Sequence, residues 1–198
     1  MQVCASVRKV DAPGEDRSVA LALANSRRTL PRETVEDLQT VGDLARWLSA
    51  RGLEAATTRL GSEELGRLLE LREAVRELLA ARVENRPPHA DAVEAINAAA
   101  VAAPMAPALC WDEDGAPSVQ TRREAQDDFA AVLAAIACDT IDLIAGERHQ
   151  QLRACNAPGC VRFLLADHPR RRWCSKRCGD RVRAAHYYER TRARPATK

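Results

Sequence analysis

The 198-residue sequence predicts a mainly α-helical fold, with a helical N-terminal domain that includes one small β-hairpin. A small cysteine-rich module, built from a β-hairpin and a helix, is predicted to follow it. Three observations predict this arrangement. Apolar residues recur at helical spacing through most of residues 16–146. Turn residues between short extended runs interrupt that period near residues 108–120. Four of the seven cysteines then lie between residues 155 and 178.

The charge distribution predicts a domain boundary near residue 147. Residues 1–147 carry 16 Lys and Arg against 25 Asp and Glu, net −9, whereas residues 148–198 carry 14 against 3, net +11. The overall charge of +2 hides this difference. We therefore predict two domains, 1–147 and 148–198, in which a basic module for a polyanion follows an acidic helical body.

Start and stop signals predict the helices of the body. Small and apolar residues predict a short helix over residues 16–29. Thr40 and Asp43 form a capping box, in which the hydroxyl satisfies a free backbone N–H, and this opens a second helix. Ser62 is predicted to cap the longest helix, whose apolar stripe and opposite charged face continue to residue 85.

Between the long helix and the cysteines, the spacing of apolar residues changes from helical to strand-like. A short helix is predicted after Pro88, and residues 108–120 predict a hairpin with an acidic, solvent-exposed turn. Thr121 and Glu124 form a second capping box. This predicts a last helix of the body from Thr121 to Gly146.

The clustered cysteines predict a zinc site. Cys155 with Cys160 and Cys174 with Cys178 form two close pairs separated by a loop, which supply the four thiolates of a tetrahedral site. Because four thiolates leave no position for water, one structural zinc ion is expected rather than a catalytic one. The alternatives are two disulfides, four free thiols or a nearby histidine as ligand. The odd cysteine count and a reducing compartment argue against disulfides.

Positive charge surrounds these cysteines and predicts phosphate binding. The candidate nucleic-acid-binding residues lie on the loop before the second pair and on the helix after it: Arg170, Arg171, Arg172, Arg177, Arg181 and Arg183. Two alternatives stay open. The charges could form a solvated basic face, or they could dock against the protein's own acidic body when no nucleic acid is present.

The second cysteine pair resembles the CGNR zinc-finger family of bacteria, named for a Cys-Gly-Asn-Arg tetrad. The corresponding stretch here is Cys178-Gly179-Asp180-Arg181, so an aspartate stands where the family has asparagine. The aspartate removes an amide donor and adds a negative charge. We expect it to orient Arg177 or Arg181.

The N-terminal part is similar to the ABATE domain that accompanies this zinc finger. The similar stretches are Leu21–Ser26, in which Ala22 replaces an acidic residue, and Leu38–Leu48. The resemblance implies a helical N-terminal domain, a DNA-binding zinc module and a role as a transcriptional regulator.

Two hypotheses of function follow from the sequence. The first is a zinc-containing, DNA-binding transcriptional regulator whose helical domain senses a small-molecule effector, contacts the transcription machinery or forms a homodimer. The alternative is a small-molecule-binding or catalytic helical domain with a purely structural zinc module. Its candidate pocket residues are Asn25, Arg27, Arg28 and Trp47. No nucleophile–base pair or phosphate loop is recognisable, so an enzyme is not expected.

The sequence also predicts the compartment. Its first 16 residues are too polar for a signal peptide, and no apolar run approaches the ~20 residues that span a bilayer. We expect a cytoplasmic protein without a membrane partner.

Overall fold

The structure, a computed structural model, consists of a helical body and a small cysteine-rich module, and it describes residues 10–30, 33–53, 60–111, 115–123 and 128–192. The elements of the body are α1 (Val19–Ala24), β1 (Arg27–Leu30), β2 (Glu33–Glu36), α2 (Val41–Ser49), α3 (Ser62–Glu84), α4 (Ala90–Val101), β3 (Met105–Trp111), β4 (Pro117–Arg123) and α5 (Asp128–Ala145). A 3-10 helix (Glu147–Gln151) leads to the module, which contains β5 (Leu152–Ala154), β6 (Phe163–Leu165) and α6 (Lys176–Arg192). The predicted mainly α-helical fold is confirmed.

The core of the body is built around α1. Its five residues after Val19 are all apolar and all buried. Helices α3 and α5 both pack against it, and α4 packs against α3 and α5. Leu21, Leu68 and Ile136, one from each of the three central helices, are fully buried. Burial of one such side chain contributes about 1.5–3 kcal/mol, so apolar packing is the main stabilising term of the body.

The predicted capping box of α2 is confirmed. The Thr40 hydroxyl accepts a hydrogen bond from the Asp43 N–H at 3.1 Å, and the Thr40 N–H donates to the Asp43 carboxylate at 2.8 Å. The long helix α3 begins one residue earlier than predicted, because Gly61 is the N-cap and Ser62 is already helical. Glu64 closes this start by accepting the Gly61 N–H at 2.7 Å.

The predicted helix over residues 16–29 is wrong in its second half. α1 ends at the C-cap Asn25, and Arg27–Leu30 form β1, which pairs antiparallel with β2. Ser26 stabilises the turn between them: its hydroxyl donates to the Leu23 carbonyl at 2.8 Å. Side-chain bonds of this kind compete with helix continuation, and helical spacing does not reveal them.

The predicted hairpin is confirmed, but it is longer than expected. β3 and β4 pair antiparallel with Leu109 opposite Val119. Thr121 lies in β4 opposite Pro107, so the last helix does not begin at Thr121. It is described from Asp128, and Glu124 lies outside the described residues. Strand pairing here overrides a local capping signal.

The β-hairpin predicted for the module is confirmed, and its strands are β5 and β6. β6 pairs antiparallel with β5, which precedes the cysteines, and not with the chain that returns toward Trp173. Asn156 fixes that returning chain by donating its N–H to the Arg172 carbonyl at 2.9 Å.

The module and the body share one apolar core. Leu152, Phe163 and Leu165 of β5 and β6 belong to the same buried cluster as α1 and α3. Fully buried Asn25 joins the two regions, because its side chain donates to the Phe163 carbonyl at 2.9 Å and accepts the Phe163 N–H at 2.8 Å. The division at residue 147 stays a prediction, because packing is continuous across it.

Among the described helices, none is both long enough and apolar enough to cross a membrane.

Candidate metal centre and nucleic-acid interface

The four clustered cysteines converge on one point. Cys155 follows β5, and Gly159, at a φ of 70°, completes the turn that brings back Cys160. Cys174 precedes α6, and Cys178 lies in its first turn. The four sulfur atoms lie within 4.8 Å of one another.

The distances between the sulfurs match a tetrahedral zinc site. The Sγ–Sγ distances are 3.6 Å between Cys174 and Cys178, 3.8 Å between Cys160 and Cys174, and 3.9 Å between Cys160 and Cys178. Four zinc–sulfur bonds of ~2.3 Å in a tetrahedron place the sulfurs ~3.8 Å apart. The donor set is therefore of the right kind and size for one zinc ion.

The close sulfurs perturb one another's ionisation. Cys160 and Cys174 donate to the Cys155 sulfur, which lowers the pKa of Cys155 to about 2. The same contact with Cys155 raises the pKa of Cys160 to about 11, and it raises the pKa of Cys174 as well. Four thiolates this close repel one another strongly, so all four ionise together only around a cation.

A buried ion pair next to the cysteines was not predicted from the sequence. Arg162 and Glu15 are 7% and 1% exposed, and the Arg162 guanidinium donates to the Glu15 carboxylate. Burial alone would lower the pKa of Arg162, but the charges of Glu15, Cys174 and Cys160 outweigh it and raise that pKa. Glu15 also accepts from Asn25 at 2.8 Å. No local pattern marks this pair, because its members are 147 positions apart.

The six arginines predicted to bind nucleic acid lie on two separate surfaces. Four of them line an open groove of about 600 Å³ between the loop before α6 and one face of that helix: Arg170, Arg171, Arg172 and Arg183. Trp173, Lys176 and Gly179 complete that face of the groove. Arg177 and Arg181 lie on the neighbouring face of α6 and line a different cavity, next to β1.

The groove arginines differ in their partners. Arg171 pairs with Asp167 at 2.6 Å, and Arg183 pairs with Asp180 at 2.5 Å. Arg170 and Arg172 are exposed, and their side chains have no partner among the described residues. Because paired guanidiniums already have an anion, the two unpaired ones are the most available for an external phosphate.

Asp180 does not orient the arginines that the sequence suggested. Its carboxylate pairs with Arg183, whose guanidinium also lies 5.6 Å from the centre of the Trp173 ring. Gly179 lies against the same pair, since a Cβ there would be 3.1 Å from Trp173 and 3.1 Å from Arg183. The tetrad thus holds Arg183 in the groove, while Arg181 donates to the Pro158 carbonyl at 3.0 Å.

The residues suggested for a ligand pocket in the body are dispersed. Asn25 is buried in the joint with the module, and Arg27 pairs with Glu73 at 2.9 Å. Trp47 packs in the core of the body. Arg28 pairs with Asp37 at 3.0 Å and lines the cavity beside Arg177. No cavity described in the structure is lined by more than one of the four.

In the part of the chain that the structure describes, the two regions are not joined by contacts between the exposed basic face of the module and acidic residues of the body. Apolar strands, Asn25 and the Arg162–Glu15 pair make the joint. Arg170, Arg172 and Arg177 stay exposed.

Comparison with known families agrees with this geometry. Residues 17–147, about two thirds of the chain, match the ABATE family, described as "Putative stress-induced transcription regulator". The chain belongs to the ABATE family. Residues 151–191 match the CGNR zinc finger, which contains all four cysteines. The four thiolates therefore hold a single structural zinc ion. No curated protein matches the chain.

Proposed function

We propose that this ABATE-family protein is a zinc-containing transcriptional regulator that binds DNA through the groove beside its zinc finger. The observation that carries the proposal is the pair of unpaired, exposed arginines, Arg170 and Arg172, on the groove wall. Lys176, from the first turn of α6, adds a third cation without a described partner. A row of cations that are not paired with a carboxylate is typical of phosphate recognition.

The zinc site supports a binding role and not a catalytic one. A zinc ion with four thiolates has no open position for water or substrate. Its contribution is to fix the chain at Cys174 and the first turn of α6, whose neighbouring residues Trp173 and Lys176 line the groove. We accordingly propose that the protein is not an enzyme.

The groove contains groups for two kinds of contact. Arg170 and Arg172 lie on the loop and suit contacts to the phosphate backbone. Arg183 is held by Asp180 and by the Trp173 ring, so it is more rigid and is the better candidate for a base edge. The helical body, in this proposal, senses an effector or contacts a protein partner.

Salt dependence and two arginine variants test the proposal. DNA duplexes selected from a random pool should bind with an affinity that falls steeply with salt. For each phosphate neutralised, log K falls by ~0.9 when the salt concentration rises tenfold. The double variant Arg170→Gln, Arg172→Gln should reduce the slope of log K against log salt concentration by about 2. It should also weaken DNA binding at least ~10-fold at low salt.

Arg46→Gln is the control for loss of an exposed arginine outside the groove. Arg46 is 74% exposed and lies on α2 of the body, so the slope and the affinity should both stay unchanged. Affinity that is indifferent to salt, or no selected sequence from a protein with one zinc bound, would contradict DNA binding. It would favour the alternative of a small-molecule-binding body with a purely structural zinc module.

A further inference from the structure

A cavity of about 480 Å³ lies between strand β1 of the body and helix α6 of the module. It adjoins the groove, since Ser175 and Lys176 line both, but it uses the neighbouring face of α6, with Arg177, Arg181 and Ala184. Arg28 and Thr29 form the wall contributed by the body. Its volume lies within the usual range of small-molecule sites, roughly 300–1,000 Å³.

Two residues of the cavity wall, Arg162 and Thr29, each have a buried donor without a hydrogen-bond partner among the described residues. The Nε of Arg162 is buried and makes no hydrogen bond, although the other two guanidinium nitrogens donate to the Val10 carbonyl and to Glu15. The Thr29 hydroxyl oxygen is likewise buried without a partner among the described residues. An unsatisfied buried donor costs about 1–3 kcal/mol, so a ligand acceptor that reaches either donor from the cavity would be stabilised.

The charges around the cavity favour an anionic ligand. Arg28 and Arg162 are neutralised by Asp37 and Glu15. Lys176, Arg177 and Arg181 have no carboxylate partner among the described residues, whereas the single lining carboxylate, Asp180, pairs with Arg183. These three cations exceed the net charge of −2 on a zinc tetrathiolate, and the N-terminal end of the 17-residue α6 adds positive potential.

The remaining wall combines Ser175 and three of the zinc-binding cysteines, Cys160, Cys174 and Cys178, with apolar carbon surface. Val10, Ala184 and the aliphatic parts of the arginines contribute carbon surface to the cavity. A purely inorganic anion would leave that surface in contact with water. A ligand with an anionic head group and an apolar body satisfies both parts of the wall.

We propose that this cavity binds a small organic anion, with a carboxylate or phosphate head group near Arg177 and Thr29 and an apolar body. The binding claim depends only on the cavity. Because its two walls come from the body and the module, a bound ligand would hold the two regions together. The consequence of this for DNA recognition rests on the proposed function.

The test uses the zinc-loaded full-length chain and a fluorescent aromatic anion, 8-anilinonaphthalene-1-sulfonate. We expect saturable binding of one probe per chain. N-phenyl-1-naphthylamine, which has the same rings without the charge, should bind at least ~10-fold more weakly, because it cannot accept a charge-assisted hydrogen bond. Equal binding of the two probes would overturn the proposal.

Variants place the probe in the cavity. Arg177→Gln should weaken probe binding about 5–10-fold, and Thr29→Val about threefold, as typical losses of a charged and of a neutral hydrogen bond. Arg172→Gln is the matched control. Like Arg177 it is exposed and has no described side-chain partner, but it lies in the groove, so probe affinity should not change. Probe binding that ignores both cavity variants would refute the site.

Competition then distinguishes the head group. Displacement of the probe by 1-naphthoate indicates a carboxylate site, and displacement by 1-naphthyl phosphate indicates a phosphate site. Displacement by neither would overturn the proposal. Since no DNA is present, these results do not depend on whether the protein binds DNA.

Discussion

Arginines have different roles in the helical body and in the cysteine-rich module. The body pairs its arginines with nearby carboxylates: Arg27 with Glu73, Arg28 with Asp37, Arg72 with Glu36, and Arg86 with Glu77. In the module, Arg170, Arg172 and Arg177 are exposed and have no described side-chain partner. The body uses charge to connect its own elements, whereas the module leaves charge available for an external anion.

The two regions also differ in what holds them together. The body buries a large apolar cluster contributed by α1 to α5. The module's own cluster contains little beyond its cysteines, Ala12, Ala157 and Leu164. A core this small does not offset the conformational entropy of the chain, so the module depends on its metal and on its contact with the body.

Loss of zinc has the largest expected effect. Chelation, or Cys174→Ser, should remove the metal and unfold the module, because structural zinc in small modules contributes ~10 kcal/mol or more. Phe163 and Leu165 belong to the shared core, so the melting temperature of the body should fall as well. Native mass spectrometry measures the metal and far-ultraviolet circular dichroism the melting. Cys138→Ser, outside the site, is the control. An unchanged melting curve after metal loss would show that the body folds independently.

Breaking the buried pair between the regions should have the next largest effect. Glu15→Ala should lower the free energy of unfolding by about 3–5 kcal/mol, because it leaves the buried Arg162 charge uncompensated. The double variant with Arg162→Met should recover part of that loss. Arg46→Gln breaks an exposed pair and should cost at most about 1 kcal/mol. Urea denaturation measures all three variants. Equal losses from Glu15→Ala and Arg46→Gln would remove the distinction between buried and exposed pairs.

A pair of glycines tests how closely the two regions pack. Gly14 has a φ of 94°, and a Cβ there would lie 2.7 Å from the Cβ of Leu165 in β6. Gly52, in the body, has a φ of 67°, but a Cβ there would meet nothing within 4 Å. Both changes to Ala strain the backbone, and only Gly14→Ala adds a clash, so it should cost about 1–3 kcal/mol more in urea denaturation. Equal losses of unfolding free energy in the two variants would mean that the contact between Gly14 and Leu165 accommodates an added methyl group.

The smallest expected effect concerns an ion pair within the body. Hydrogen bonds from Arg86 lower the pKa of Glu77 to about 2, from an ordinary value of 4.5. A lowered pKa in the fold means that the ionised form stabilises it. This contribution is complete above pH 4.5 and is lost as the pH falls toward 2. Glu77→Gln should therefore lower the melting temperature by about 2 °C or less at pH 7. The difference from the unmodified protein should shrink below pH 4.5; a constant difference would contradict the role of this charge.

Local signals in the sequence predicted the features that depend on neighbouring residues. The Thr40–Asp43 box and the turns that present each cysteine pair are closed by contacts within a few positions. The helix predicted at β1 and the predicted start of the last helix were wrong, because strand pairing overrides a helical pattern at both places. The Glu15–Arg162 pair and the Asn25–Phe163 contact carry no local signal, because their members are more than 130 positions apart.

The sequence by itself determined which residues hold the metal and where positive charge accumulates, since both are properties of residue identity and short spacing. Only the tertiary structure decided which arginines act together. Arg177 and Arg183 lie on the same helix, yet Arg177 lines the cavity with Arg28 and Thr29 of β1, whereas Arg183 lines the open groove. Helical rotation separates the two faces, but the position of a strand distant in sequence determines what lies opposite each face.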